Sequence, residues 1–258
     1  MCTELCQPVA LVTHGNAWLH ADRSDAPPEL LRSSPLFQFV ASLHFEVAGQ
    51  EIGTETAAWF RYLKREQASG LRLILGPYPA WVTSALRDGR EWAIQVTYPR
   101  WWEIWKGWWH SDQSLKAWRI TYSALRLDKP LSENTPRLKA AAAALMIAAA
   151  AAEQVSRKMG SDPFTKMLIA TQQALESSAP EPDWFAGMLP SVPHNPQARQ
   201  LLVAAEKAWV FGGMGSWLDR SYYLGAATQE EFNTVHQQLW DAVVSAVAAA
   251  TNAYLPHE

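Results

Sequence analysis

The run Leu11-Val-Thr-His14-Gly15-Asn16 puts a histidine and a glycine behind an apolar stretch, the form of an oxyanion loop that follows a strand. A hydrolase of that kind also needs a serine on a sharp strand-to-helix turn, Gly-x-Ser-x-Gly, so that its hydroxyl is presented. The nearest segment, Gly213-Met-Gly215-Ser216-Trp217-Leu218, lacks the last glycine and follows a helical stretch. Its glycines could also form a nest of backbone N–H groups for phosphate, but no lysine follows them and no strand precedes them. They are better read as ending a helix and turning the chain. Phe211, Met214 and Trp217 then plug a bundle, with Asp219 and Arg220 as polar anchors beside the turn.

The seven histidines have no metal-ligand spacing. His236, beside Gln237 and Gln238, reads as solvated. His110-Ser111-Asp112 could hold a ligand hydroxyl, and no paired carboxylates suggest glycoside hydrolysis. Cys2 and Cys6 stand alone near the N-terminus and read as frayed, reduced thiols. No catalytic residue, metal site or cofactor is expected.

The strongest signal is aromatic. Trp101, Trp102, Trp105, Trp108 and Trp109 crowd into nine residues. Each indole buries about 150–250 Å² and carries an N–H that wants a partner, so one short segment is unlikely to bury all five in a single core. These tryptophans are the expected partner-binding anchors, with Arg100, Glu103 and Lys106 as their polar rim. As a helix the run would align Trp101, Trp105 and Trp108. As a strand it would put Trp101, Glu103 and Trp105 on one face and Trp102, Ile104 and Lys106 on the other. Gly107 argues against a continuous strand. The alternatives to a protein-binding edge are a structural seam and a sugar-stacking platform. Stacking on nucleic acid would need a basic groove, and Arg100, Lys106 and Lys116 are too few.

The elements that must carry these residues fall into two grammars. Ser42–Val47 alternates, with Leu43, Phe45 and Val47 on one face and Ser42, His44 and Glu46 on the other, and Ala48-Gly49 ends the run. A helix is expected over Ala57–Ala68, capped by Thr54 or Thr56 and closed by Gly70. Strands are expected over Leu71–Leu75, Glu91–Tyr98 and Trp118–Leu127, with an edge strand at Val9–Thr13 and a loop over 22–35. The order predicts an α+β layer with a mostly antiparallel sheet. After Pro130 the pattern is helical. Thr135-Pro136, Asp162-Pro163 and Asn195-Pro196 are cap-then-proline starts, Thr228-Gln-Glu-Glu231 is a capping box, and Gly160 is a stop. The expected organisation is a sheet domain over 1–130 and an alanine-rich all-α four-helix array over 131–258, free to pack as one unit.

Composition bounds the partners. The chain has 258 residues, 48% hydrophobic and 18% charged, with net charge −3, which is globular and offers no general attraction to nucleic acid or acidic lipid. No secretory leader is read at the N-terminus, and the Ala140–Ala152 stretch is shorter than the roughly 20 residues a span needs. A cytoplasmic, non-membrane protein is expected.

Several segments carry a resemblance: Trp59-Phe-Arg-Tyr-Leu-Lys64, Leu71-Arg-Leu, Val96-Thr-Tyr98, Lys116-Ala-Trp-Arg-Ile-Thr-Tyr122 and Ala208-Trp-Val-Phe-Gly-Gly-Met-Gly-Ser-Trp217. Together they resemble uncharacterised bacterial cytoplasmic proteins of the sort encoded beside secreted polymorphic toxins as immunity partners. Such proteins have an asparagine after the final tryptophan, where this chain has Leu218. The resemblance supplies no catalytic residues. It implies a protein-binding role, neutralising a cognate toxin by occluding it. The rival reading is a small-molecule or glycan-binding protein, with an aromatic pocket between sheet and helices gathering His110, Asp112, Asp219 and Arg220. A homo-oligomer burying its tryptophans against a second copy is a further alternative.

Overall fold

The computed structural model describes residues 3–21, 26–79, 82, 92–112, 116–131, 135–182, 185, 189–190, 195–212 and 215–254. The fold is mixed α/β, and its contacts divide into two compact units, Thr3–Asn134 and Thr135–Glu258.

The first unit contains α1 (Thr3–Leu19), α2 (Leu30–Ser33), β1 (Val40–Val47), β2 (Gln50–Gly53), α3 (Thr56–Arg65), β3 (Gly70–Leu75), β4 (Trp92–Thr97), β5 (Trp102–Asp112) and β6 (Ala117–Leu127). The strand order is β2-β1-β6-β5-β4-β3. β1 and β6 run parallel and every other pair runs antiparallel, so the sheet is mixed rather than mostly antiparallel. The reason is β2, which the sequence reading missed. Ala48 and Gly49, with φ of 51° and 77°, form a two-residue hairpin turn that sends the chain back as a second strand. α3 then carries it to the far edge of the sheet, and the β3–β6 meander returns to β1. One extra reversal makes β1 and β6 parallel.

The expected edge strand at Val9–Thr13 is instead part of α1. Leu5, Cys6, Val9, Ala10, Leu11 and Val12 are all fully buried, and a short apolar run cannot be told from a buried helix by periodicity. Cys6 therefore sits inside a helix rather than at a frayed end, while Cys2 lies outside the described residues. The His14-Gly15-Asn16 segment is helical and has a packing role. A Cβ on Gly15 would meet Phe60 at 2.9 Å and Leu71 at 3.3 Å, so glycine lets α1 lie close to β3. The Asn16 carboxamide donates to the Leu71 carbonyl and accepts from the Leu71 N–H, both at 2.8 Å, which satisfies part of the edge strand.

Within the 22–35 segment, the described residues include α2, whose Leu30 N–H donates to the Thr56 hydroxyl. Thr56 is thus the first residue of α3, not its cap; Glu55 holds that position without a capping bond, its carboxylate accepting from Arg32 instead. α3 stops at Arg65, and Gly70 opens β3 instead of closing the helix. One sheet face packs Phe45 between Trp59 and Tyr122, at ring-centroid distances of 5.1 and 5.4 Å, with Trp105 set edge-on to Trp59 at 5.5 Å. The opposite face carries a smaller cluster of Tyr78, Val82, Ala93, Ile104 and Leu127.

The second unit contains α4 (Leu138–Lys158), α5 (Asp162–Glu176), α6 (Pro196–Lys207), a 3-10 turn (Leu218–Tyr222) and α7 (Gln229–Asn252). α4 packs on α5 and α7, and α6 packs on the same two. Alanines at 141, 148, 149 and 152 of α4 and at 242, 246, 248, 249 and 250 of α7 are buried, so thin side chains serve close helix approach. Asn195 caps α6, accepting from the Gln197 and Ala198 N–H groups, and Thr228 with Glu231 completes a capping box on α7. The other two starts shift. α5 is preceded by Ser161, and α4 begins at Leu138 after Arg137, two residues beyond Pro136. Gly160, with φ of 63°, follows the end of α4 as expected. At 21 residues α4 is long and apolar enough to cross a bilayer by length and composition, more than the alanine stretch alone suggests. Its Leu145, Ala148, Ala149 and Val155 are buried.

Phe211 and Trp217 are buried, as expected, with Trp217 stacked on Phe232 at 5.3 Å; Met214 lies outside the described residues. Asp219 accepts from the Gly215 and Ser216 N–H groups at 2.6 and 3.1 Å, an anchor for the turn. His236 is half-buried rather than fully solvated. It stacks on Phe232 and meets Phe211 edge-on, its Nδ1 is buried without a hydrogen-bond partner, and burial lowers its pKa.

Candidate functional site

The tryptophan run is a continuous strand through Gly107, contrary to the expected break. Gly107 pairs with Tyr122, and a Cβ there would meet the Tyr122 ring at 3.1 Å. Alternation along the chain divides seven of the eight expected contact residues, all but Arg100, between two faces. Trp101, Glu103, Trp105 and Trp109 share one, and Trp102, Lys106 and Trp108 share the other. They do not make a single surface. Eight residues of strand also separate Trp101 from Trp109 by roughly 26 Å.

Three of the eight are interior. Trp105 is fully buried against Phe45, Trp59 and Tyr62, so it is a core residue rather than an exposed anchor. Glu103, expected at a rim, is buried and accepts three hydrogen bonds. Tyr62 Oη donates to Oε1 at 3.0 Å, Tyr98 Oη donates to Oε2 at 2.6 Å, and Trp105 Nε1 donates to Oε2 at 3.0 Å. A buried carboxylate is tolerated because three donors replace its water. Burial, and then the Glu103 charge, pushes both the Tyr62 and Tyr98 hydroxyls well above the ordinary tyrosine range. Lys106, the other expected rim residue, is also buried, with Nζ about 6 Å from the Tyr78 and Trp108 rings. Packing at the β3–β5 side of the sheet, invisible to a local reading of charge, puts both ions inside.

The remaining residues sit at opposite ends of β5. Trp101 stacks on Tyr98 at 5.0 Å beneath Arg126, Trp102 packs on the small second cluster, and Arg100 is exposed. At the far end, Trp109 meets Trp118 edge-on at 5.8 Å. Trp118 is 40% exposed, and its backbone N–H donates to the backbone carbonyl of Phe39, itself 61% exposed. Phe39, Trp118 and Arg119 were not anticipated. Trp118 shares a face with buried Ile120 and Tyr122, but at the β5–β6 ribbon end it is left uncovered.

His110, Asp112, Arg119 and Thr121, on the other face of this ribbon end, line an open concavity of about 620 Å³ together with Ser111. Arg119 pairs with Asp112 at 3.4 Å. The concavity includes His110 and Asp112; Asp219 and Arg220 belong to the other unit. Beside it, β1 carries a relay in which the His44 ring lies 2.6 Å from Glu51 Oε2 through Nδ1 and 3.2 Å from Ser42 Oγ through Nε2. Among the described residues no group of three His, Cys, Asp or Glu side chains could hold a metal ion.

No family model matches the chain, and no curated protein or solved structure matches it.

Proposed function

We propose that this chain is a protein-binding module whose contact surface is the outer end of the β5–β6 ribbon. The observation that carries this reading is the exposed aromatic group Phe39 and Trp118 with half-buried Trp109 beside them. Exposed Ser111, which pairs with Trp118 across the ladder, supplies a polar group on the same face. Large aromatic side chains are the residues most enriched at interface hot spots. The most concrete role is the one the resemblance implies, neutralising a bacterial toxin in the cytoplasm by covering its working surface. The α+β layout serves that role by holding the ribbon on a rigid sheet.

The test is affinity capture with the full chain, identification of the enriched protein, and titration of that partner. A Phe39→Ser/Trp118→Ala variant should bind about 100-fold more weakly, the loss of one to two hot-spot residues. Unchanged affinity would remove the ribbon end as the surface. Absence of any enriched partner would count against the protein-binding reading itself, and a concentration-dependent dimer in sedimentation would identify the partner as a second copy. A second reading, a small polar ligand, is favoured by the concavity that gathers His110, Asp112, Arg119 and Thr121.

A further inference from the structure

β1 and β2 build a hydrogen-bonded line of three side chains on the sheet face that bears the concavity. The His44 Nδ1 lies 2.6 Å from Glu51 Oε2, so in the tautomer that carries its proton on Nδ1 the ring donates to Glu51 and its Nε2 is a base. Ser42 Oγ is 3.2 Å from Nε2, which accepts the hydroxyl proton in that same tautomer. Serine, imidazole and carboxylate in this order are the arrangement that activates a hydroxyl for attack on an acyl group, whatever fold carries it. The register places the line beside the concavity. Ser42 pairs with Arg119 and His44 with Thr121 across the parallel β1–β6 ladder, and both partners line the open space. The His44 side chain is 26% exposed, so a substrate can reach it.

We propose that Ser42 is a nucleophile, with His44 as its base and Glu51 as a positioning residue, acting on small esters whose acyl part carries an anionic group. Arg119, which also pairs with Asp112 at 3.4 Å, supplies the positive charge that recognises that group. In the step, Ser42 Oγ bonds to the ester carbonyl carbon while its proton passes to His44 Nε2. Collapse of the tetrahedral adduct breaks the bond to the alcohol, which leaves with the proton from His44. Water then attacks the acyl-serine, gives its proton to His44, and releases the acid as Ser42 recovers its own. This site lies on the sheet face opposite Trp109 and Trp118 and is independent of the protein-binding reading.

The experiment treats the full chain with an alkyl fluorophosphonate, which phosphonylates an activated serine and expels fluoride, and locates the adduct by peptide mass spectrometry. The expected adduct is on Ser42. It should be lost in Ser42→Ala and form at least about 100-fold more slowly in His44→Gln, the share a general base contributes. Glu51→Gln should slow it and abolish the downfield Nδ1–H proton resonance of His44, with an unchanged tryptophan-fluorescence melt showing the fold intact. An adduct on another serine, no adduct, or equal rates in wild type and His44→Gln would overturn the proposal.

Discussion

At the scale of single residues, the aromatic run owes its structure to Glu103 and Trp105. Glu103 anchors Tyr62 of α3, Tyr98 beyond β4, and the indole two residues along its own strand. Glu103→Gln keeps the shape but replaces a charged acceptor with an amide that brings unwanted donors of its own. Hydrogen bonds to a charged group contribute about 1.5–3 kcal/mol each, so a loss of that order in urea-unfolding free energy is expected. Trp105→Ala should cost about 3–5 kcal/mol, the range for emptying a buried large aromatic site. Its effect on binding would therefore report folding, whereas Trp118→Ala should leave the unfolding midpoint nearly unchanged. Chemical denaturation of the two variants side by side separates the core tryptophan from the exposed one.

At the scale of elements, the β1–β2 hairpin decides the sheet. Ala48 holds φ of 51°, a left-handed conformation that a Cβ disfavours by about 1–2 kcal/mol. Ala48→Gly should therefore stabilise the first unit by up to about 1 kcal/mol, after its greater freedom when unfolded is subtracted. A lower melting temperature for this variant would mean the turn is not formed in solution. Gly15→Ala tests the α1–β3 approach in the opposite sense. Alanine is the better helix former, yet here the added methyl runs into Phe60 and Leu71. Overpacking costs about 1–3 kcal/mol, which outweighs the helix-propensity gain of about 1 kcal/mol, and a net destabilisation in the thermal melt is expected.

Over the whole molecule, buried titratable groups predict stability that falls away at both ends of the pH scale. Burial lowers the His236 pKa, so the unfolded chain takes up that proton first. The stability is present above the unfolded value of about 6.5 and is lost as pH falls through the folded one. His236→Phe, which keeps an aromatic ring between Phe211 and Phe232, should reduce this acid sensitivity in melts recorded between pH 7 and 5. The tyrosines act in the opposite direction. Tyr62, Tyr98 and Tyr122 are all raised, with burial the leading cause in each. Their stabilisation is complete below the unfolded value of about 10 and is lost progressively as pH rises above it. A spectrophotometric tyrosine titration should show these three ionising only with unfolding.

Local pattern by itself determined much of this protein. The alternation of Ser42–Val47, the amphipathic stretch around Trp59, Phe60 and Leu63, the Asn195 and Thr228 caps, and the change from strand to helix near residue 130 all depend on neighbours a few residues apart. Such signals are written along the chain because the forces behind them act within one turn or one pleat. Tertiary structure decided the rest. Whether Val9–Val12 is helix or strand depended on what lay against it, and the parity of the sheet turned on one two-residue turn with an alanine where glycine or asparagine is usual. The same holds for Glu103 and Lys106, charged residues that a linear reading sends to the surface and that the sheet closes over. It holds above all for Ser42, His44 and Glu51, and for Phe39, Trp109 and Trp118. Each set meets only when separate strands come into register, and register is a property of the assembled sheet.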